Sequence, residues 1–277
     1  MTDRPAINRW LRVSLRSLLV VLTLLAVGLG WFANYAHKRT TAFAKIEEAG
    51  GEIQMAPTKP TMLEQWFGSE IFGSVYRIDL RQGKERVDNA LLEHLGNLTE
   101  LQQLDLSYAH VDDAGVQHIA ELPLTELWLQ STKITDASAA TLSQMPTLVD
   151  LQLNSTDLSN QFLESLEPLP NLRELGMRGT KVTGKGMAFM PRHSKLERFD
   201  VYHTDVDDAG VARLTDCTAL VRLGLSMTNV TDDVFAELAK MPQLTDVDLS
   251  GNRPVTTKAV KAFEAAHPQC DIEWYRD

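Results

Sequence analysis

The chain has 277 residues, 44% of them hydrophobic and 23% charged, a globular composition with apolar material for a sizeable core and none of the bias of a disordered chain. Its net charge is −10, unevenly spread: residues 1–45 carry Arg4, Arg9, Arg12, Arg16, Lys38, Arg39 and Lys45 against Asp3 alone, so this end is +6 and the remainder −16. So acidic a body repels phosphate, and no nucleic-acid partner is expected.

Residues 1–16 form a basic tail. Behind it "LLVVLTLLAVGLGWFA" (18–33) has no charge, and with residues 17 and 34–36 it reaches the ~20 residues that a helix needs to cross a bilayer. Four arginines precede it, while His37, Lys38 and Arg39 follow, a bias that favours a cytoplasmic N-terminus. Trp31, Phe32 and Tyr35 fall where an outer aromatic belt would lie. Residues 17–36 are therefore expected to be a single-pass signal-anchor with the acidic body extracytoplasmic. A cleaved signal peptide is the alternative, although Asn34 would sit at −3 if Ala36 were −1. Residues 37–74 are left for a linker and an N-terminal cap.

From residue 75 to 274 one pattern recurs, L-x-x-L-x-L: "LQQLDL" (101–106), "LTELWL" (124–129), "LVDLQL" (148–153), "LRELGM" (172–177), "LERFDV" (196–201), "LVRLGL" (220–225) and "LTDVDL" (244–249). Its second apolar position falls at Leu104, Leu127, Leu151, Leu175, Phe199, Leu223 and Val247, at intervals of 23 and then 24 residues. "VYRIDL" (75–80) is a degenerate first copy, "CDIEW" (270–274) a truncated last one, and 275–277 a short tail. Alternation at period two marks a strand with one buried face. Apolar residues four, seven and ten places after the next polar residue, such as Phe235, Leu238 and Met241 after Thr231, mark a helical return. About eight such units predict an α/β solenoid, a right-handed horseshoe with its parallel sheet on the concave face.

"TDD" at 231–233 has the composition of a metal or acid–base site, but its address recurs. Asp88, Asp112, Thr135, Ser159, Thr183, Asp207, Thr231 and Thr256 hold the same place in successive repeats, and each has a side-chain oxygen able to cap a helix N-terminus. The next position holds Asp113, Asp136, Asn160, Gly184, Asp208, Asp232 or Thr257, where a carboxylate favours the positive end of the helix dipole. The cluster is read as helix punctuation. Cys217 and Cys270 lie at least two repeats apart, roughly 10 Å and too far for a disulfide, so two buried thiols are expected. His110 and His203 are four repeats apart, and His193 replaces a core residue in "PRHSKL", where partial exposure is expected. With no nucleophile elbow, zinc-helix or phosphate-loop motif, the chain is read as non-catalytic, without metal or cofactor.

The strand residues between the leucines point out from the concave face, the usual contact surface of solenoids. Trp128 and Tyr202 are expected to be exposed anchors there, joined by Arg178, Arg198, Asp105, Asp200 and Gln152. Gly176 and Gly224 would leave shallow room beside Tyr202.

The copies, with Thr132, Thr156, Thr180, Thr204 and Thr228 where many leucine-rich repeats place Asn, resemble the cysteine-containing, GALA-like (ribonuclease-inhibitor-like) class of leucine-rich repeat. Only Asn252 restores the Asn. The leading part, "AFAKIEEAGGEIQ" and "EQWFGSEIFGSVYRIDL", resembles bacterial membrane-anchored repeat proteins in which Ala49-Gly50-Gly51 and Trp66-Phe67 belong to a hairpin and an amphipathic cap over the first repeat. The resemblance implies protein–protein binding, with no catalytic residue to carry over. A passive envelope spacer is the alternative. A ubiquitin-ligase substrate receptor, known among intracellular relatives of the class, would need an F-box-like module where residues 1–74 are already occupied.

Overall fold

A computed structural model describes residues 15–57 and 61–275; the basic tail before Leu15 and the last two residues of the C-terminal tail lie outside the described residues. The first element, α1 (Leu15–Glu48), runs 34 residues without a break. It crosses the boundary expected at residue 36 and turns the supposed linker into helix. Its buried positions Arg39, Ala42, Phe43 and Ile46, preceded by the partly buried Phe32, Tyr35 and Ala36 and continued by Ala49 just past its end, recur every three or four residues, with Thr40 and Thr41 partly buried beside them. That spacing is one helical stripe, and it is laid against the cap and the first repeat. Gly50 ends the helix at φ 78°, a conformation available to glycine without steric cost.

The chain then forms β1 (Glu52–Met55), α2 (Met62–Phe67), α3 (Ser69–Phe72) and β2 (Val75–Asp79). The repeats follow as α4 (Asn89–Leu95), β3 (Gln103–Asp105), α5 (Asp113–Gln117), β4 (Glu126–Trp128), α6 (Ala139–Leu142), β5 (Asp150–Gln152), α7 (Asn160–Ser165), β6 (Glu174–Gly176), β7 (Arg198–Asp200), α8 (Asp208–Ala212), β8 (Arg222–Gly224), α9 (Val234–Leu238), β9 (Asp246–Asp248), α10 (Thr257–Ala266) and β10 (Asp271–Glu273). The strands make one sheet in chain order. β1 is antiparallel to β2 and closes the N-terminal edge, while the rest are parallel. Ile78, Leu104, Leu127, Leu151, Leu175, Phe199, Leu223, Val247 and Ile272 stand in register across it. These nine buried side chains are the spine of the core. Two carboxylates on the three-residue β10 discourage further strand addition at the far edge.

The return segments are less regular than a helix per repeat. Gly186–Arg192 is a 3-10 helix containing Pro191, and Asp136–Ser138 is a 3-10 turn leading into α6. A 24-residue period leaves room for little more than one helical turn, and Pro191 cannot donate an amide hydrogen bond.

Each residue at the cap address accepts a hydrogen bond from a backbone amide two or three positions on. Asp112 accepts from Ala114, Thr135 from Ala137, Ser159 from Gln161 and Thr183 from Lys185. Asp207 accepts from Gly210, Thr231 from Asp233 and Thr256 from Ala259. The following residue does more than face the helix dipole, because it reaches into the next repeat. Asp113 accepts from the amide (2.8 Å) and hydroxyl (2.6 Å) of Thr135. Asp136 does the same for Ser159, Asp208 for Thr231 and Asp232 for Thr256. Where the next cap is the carboxylate of Asp112, the bridging residue is Asn89, whose amide nitrogen donates to it at 2.7 Å. Donor and acceptor alternate as hydrogen-bond chemistry requires. The ladder breaks at Gly184, where a Cβ would lie 2.1 Å from Asp207 Oδ1.

A second column went unread in the sequence. Tyr108, Ser131, Ser155, His203 and Met227 all have φ between 52° and 67°, with Gly179 and Gly251 at the equivalent places. The turn after each strand needs a left-handed residue. Non-glycine types fill it at ~1–2 kcal/mol each, so composition gave no signal.

Candidate interaction face

The polar strand residues form three columns across the concave sheet, with rungs ~4.8 Å apart. At the N-terminal end they are consumed internally. Arg81 pairs with both Asp79 (2.6 Å) and Asp105 (3.1 Å), and its guanidinium holds the Asp79 carboxyl below the ordinary carboxylate range. Arg77 lies 5.2 Å over the ring of Trp128, two strands away. Gln103 donates to Tyr76 Oη and Glu126. Two expectations are corrected here. Asp105 is buried, accepting from the amide and hydroxyl of Ser107 as well as pairing with Arg81. Trp128 is partly buried under Arg77 rather than free.

In the middle of the first column, Glu126, Asp150 and Glu174 stand on adjacent strands. Burial, then the neighbouring carboxylates, push the Asp150 carboxyl up to about 6, against a hydrogen bond from Gln152 Nε2 that favours its ionised form.

Toward the C-terminal end the charges face a depression of about 270 Å³ lined by Gln152, Arg178, Arg198, Asp200, Arg222 and Asp246 among others. Arg178 pairs with Asp200, and Arg198 with Glu174. Arg222 reaches Asp246 only at 3.9 Å and keeps 61% of its side chain exposed. It stands beside Arg198 on the neighbouring strand. Of the residues assigned to contact from sequence, Gln152, Arg178, Arg198 and Asp200 therefore line one depression. Tyr202 lies two residues beyond Asp200, 37% exposed, its hydroxyl donating to Met227 Sδ at 3.1 Å. Trp128 and Asp105 belong to the closed end. Gly176 and Gly224 open no extra room, because Gln152 and Asp200 fold over the space a Cβ would take. Arg222 was passed over in the sequence, although its small neighbours Gly224 and Ser226 were the signal.

His193 is only 2% exposed, not partly exposed as expected, and its Nδ1 accepts from the Leu169 amide at 3.3 Å. Burial, helped by Arg192, lowers its pKa to about 4, so it is a neutral core residue. Cys217 and Cys270 are buried free thiols whose pKa values burial raises to about 12 and about 11. Among the described residues no three His, Cys, Asp or Glu side chains gather as a metal site.

Comparison with known proteins bears on the fold. A family model described as a leucine-rich repeat matches residues 97–120. The crystal structure of an internalin (inlF) from Listeria monocytogenes superposes with a TM-score of 0.55 at 16% identity, covering 73% of this chain and 61% of that one. Internalin C2 of the same organism gives 0.57 at 15% identity, covering 84% and 92%. This chain has the leucine-rich repeat fold. No curated protein matches. Within the leucine-rich repeat pattern, the threonine that stands for the usual asparagine turns its hydroxyl back into its own repeat: Thr132, Thr156, Thr180, Thr204 and Thr228 donate to the carbonyl three residues back, and Thr228 alone of these also reaches Asn252 in the next repeat. Asn252 also donates to Leu225 O in the preceding repeat and accepts from the Thr228 amide. Cross-repeat bonding thus passes mainly to the cap ladder.

Proposed function

We propose that this leucine-rich repeat chain is a non-catalytic, membrane-tethered module that binds a protein partner through the C-terminal half of its concave face, with α1 as anchor and the solenoid extracytoplasmic. The observation that carries the reading is the exposed Arg198–Arg222 pair beside Asp200 and Asp246 in an open depression. Of this pair Arg222 is the loosely held member; Arg198 and the other arginines of the face are engaged at close range by a carboxylate or by the Trp128 ring. Such a surface suits a protein segment carrying both signs of charge, since rim charges steer association and select partners. Tethering is supported by α1, the one helix among the described residues long and apolar enough to cross a membrane. Its side chains from Leu18 to Leu29 are solvent-exposed, and nothing among the described residues covers them. The spacer alternative draws on the internal pairing of the N-terminal charges and would make Arg222 dispensable. Cross-linking mass spectrometry on the native membrane fraction tests this. Arg222→Glu should abolish partner cross-links to β6–β9 without changing circular dichroism, whereas Trp128→Ala should leave those cross-links in place. Cross-links indifferent to Arg222→Glu would overturn the assignment.

A further inference from the structure

We propose that α2 and α3 form a foot that enters the lipid interface beside α1, with Met62, Leu63 and Trp66 at the boundary between headgroups and acyl chains. The proposal rests on the reading of α1 as a bilayer-spanning helix.

The resemblance to membrane-anchored repeat proteins implies that Trp66 belongs to a cap over the first repeat. It does not: Trp66 is 73% exposed, Met62 67% and Leu63 48%. These side chains, at positions i, i+1 and i+4, share one face of α2. The helix is well defined, since Thr61 accepts from the Glu64 amide and the Glu64 carboxylate accepts from the Thr61 amide, a reciprocal capping box. The solenoid's own cover is the α1 stripe instead.

The height of this face is set by contacts on α1. Phe72 of α3 stacks on Phe32 at 5.5 Å between ring centroids. Phe32 lies four residues before the end of the apolar run at Ala36, or ~6 Å along the helix axis. That depth falls within the ~5–10 Å to which interfacial helices sink their apolar faces. Arg39 then fixes α3 in place. It is 1% exposed, donates from Nε to Glu70 O at 2.8 Å and to Gly73 O, and pairs with Glu100 of the first repeat. Gly68 alone separates α2 from α3, so α2 is held at nearly the same level.

The occupant follows from this continuity. The exposed run from Leu18 to Trp31 is a surface only lipid fits over that length, and the apolar face of α2 is joined to its last turn by the Phe32–Phe72 stack. Tryptophan is the side chain that favours this level, with an apolar ring and a polar N–H. The charged residues of α2 and α3 are Glu64 and Glu70, with no cation, so insertion is apolar and should not need anionic lipid.

The full chain in phosphatidylcholine nanodiscs, with lipids brominated near the headgroup, provides the test by tryptophan quenching. Trp31→Phe should retain shallow quenching that the double variant Trp31→Phe/Trp66→Phe loses. Trp66→Phe should remain more quenched than the double variant, because Trp31 still reports α1. Equal quenching of Trp31→Phe and the double variant, with Trp31 still quenched in Trp66→Phe, would overturn the foot and spare the anchor; a soluble partner would then be the cover for α2. Loss of quenching at Trp31 as well would remove the anchor and the foot together.

Discussion

The two ends of the concave sheet use the same residue types to opposite effect. On β2 to β4, Arg77, Arg81, Asp79 and Asp105 satisfy one another or lie against Trp128, and Gln103 and Asp105 leave solvent. On β7 to β9, Arg198, Arg222 and Asp246 occupy the same column as Arg77 and Gln103, yet Arg222 stays extended at the mouth of a depression. One column over and two rungs on, Arg77 meets the ring of Trp128, whereas the equivalent place from Arg222 holds Glu273. A single bulky ring reaching across two rungs gives an arginine a surface to lie on, and the slender, exposed Glu273 gives none. Charge in a column thus does not say whether it is available; the bulk beside it does.

Breaking the N-terminal lock should have the largest effect. Arg39→Met takes the donor from two backbone carbonyls and the counter-charge from Glu100, which keeps 27% of its side chain exposed and the Val75 amide as donor; the loss therefore falls below that of a fully buried pair, at ~2–3 kcal/mol. Denaturant unfolding of the full chain in detergent should show the midpoint fall; an unchanged midpoint would mean that the apolar stripe of α1 holds the cap unaided.

Between the ends, Asp150 and His193 oppose each other. The Asp150 carboxyl, raised to about 6, makes the folded state hold a proton that the unfolded chain releases. Its contribution is complete below about pH 3.8 and is lost as pH rises through 6. His193, lowered to about 4, contributes stability above its ordinary value of 6.5 that is lost as pH falls through 4. Asp150→Asn should therefore stabilise the chain at pH 7 by ~1–2 kcal/mol, after discounting for its partial exposure, and should unmask a falling Tm from pH 6.5 to 4. His193→Leu should show the reverse slope in the same window. Parallel Tm profiles for the two variants would contradict both assignments.

The smallest expected effect sharpens the comparison along the convex rim. Asp208→Ala removes two bonds to Thr231 and should cost roughly 1–2 kcal/mol. Gly184→Ala, at the break in that ladder, has no such bond to lose and acts by crowding Asp207 and the backbone of Gly210. Equal losses of Tm that relax with the same neighbours would show that the bridging carboxylates contribute nothing beyond packing.

Much of this was legible beforehand. The apolar residue at the centre of each strand, the parallel order of the copies and the recurring cap oxygens follow from spacing, and the nine-residue spine stands in the register the intervals imply. The face was legible only in part: Gln152, Arg178, Arg198 and Asp200 converge, while Asp105 and Trp128 do not. Nor did the pattern show that Asp113 or Asp208 reaches a hydroxyl one repeat on, because both readings require the same residue at the same place. Arg39 looked like a flanking charge and is a buried clasp.

What the sequence determined by itself is everything a single repeat specifies locally: which side chains turn inward at period two, where a turn of helix starts, and how many residues pass before the unit returns. What the tertiary structure decided is which polar groups are left over. Partners 22 to 51 residues away in the chain lie one or two rungs apart, ~5–10 Å, and at that distance bulk, reach and donor count across the stack determine whether a charge is spent on its neighbours or remains open to a ligand.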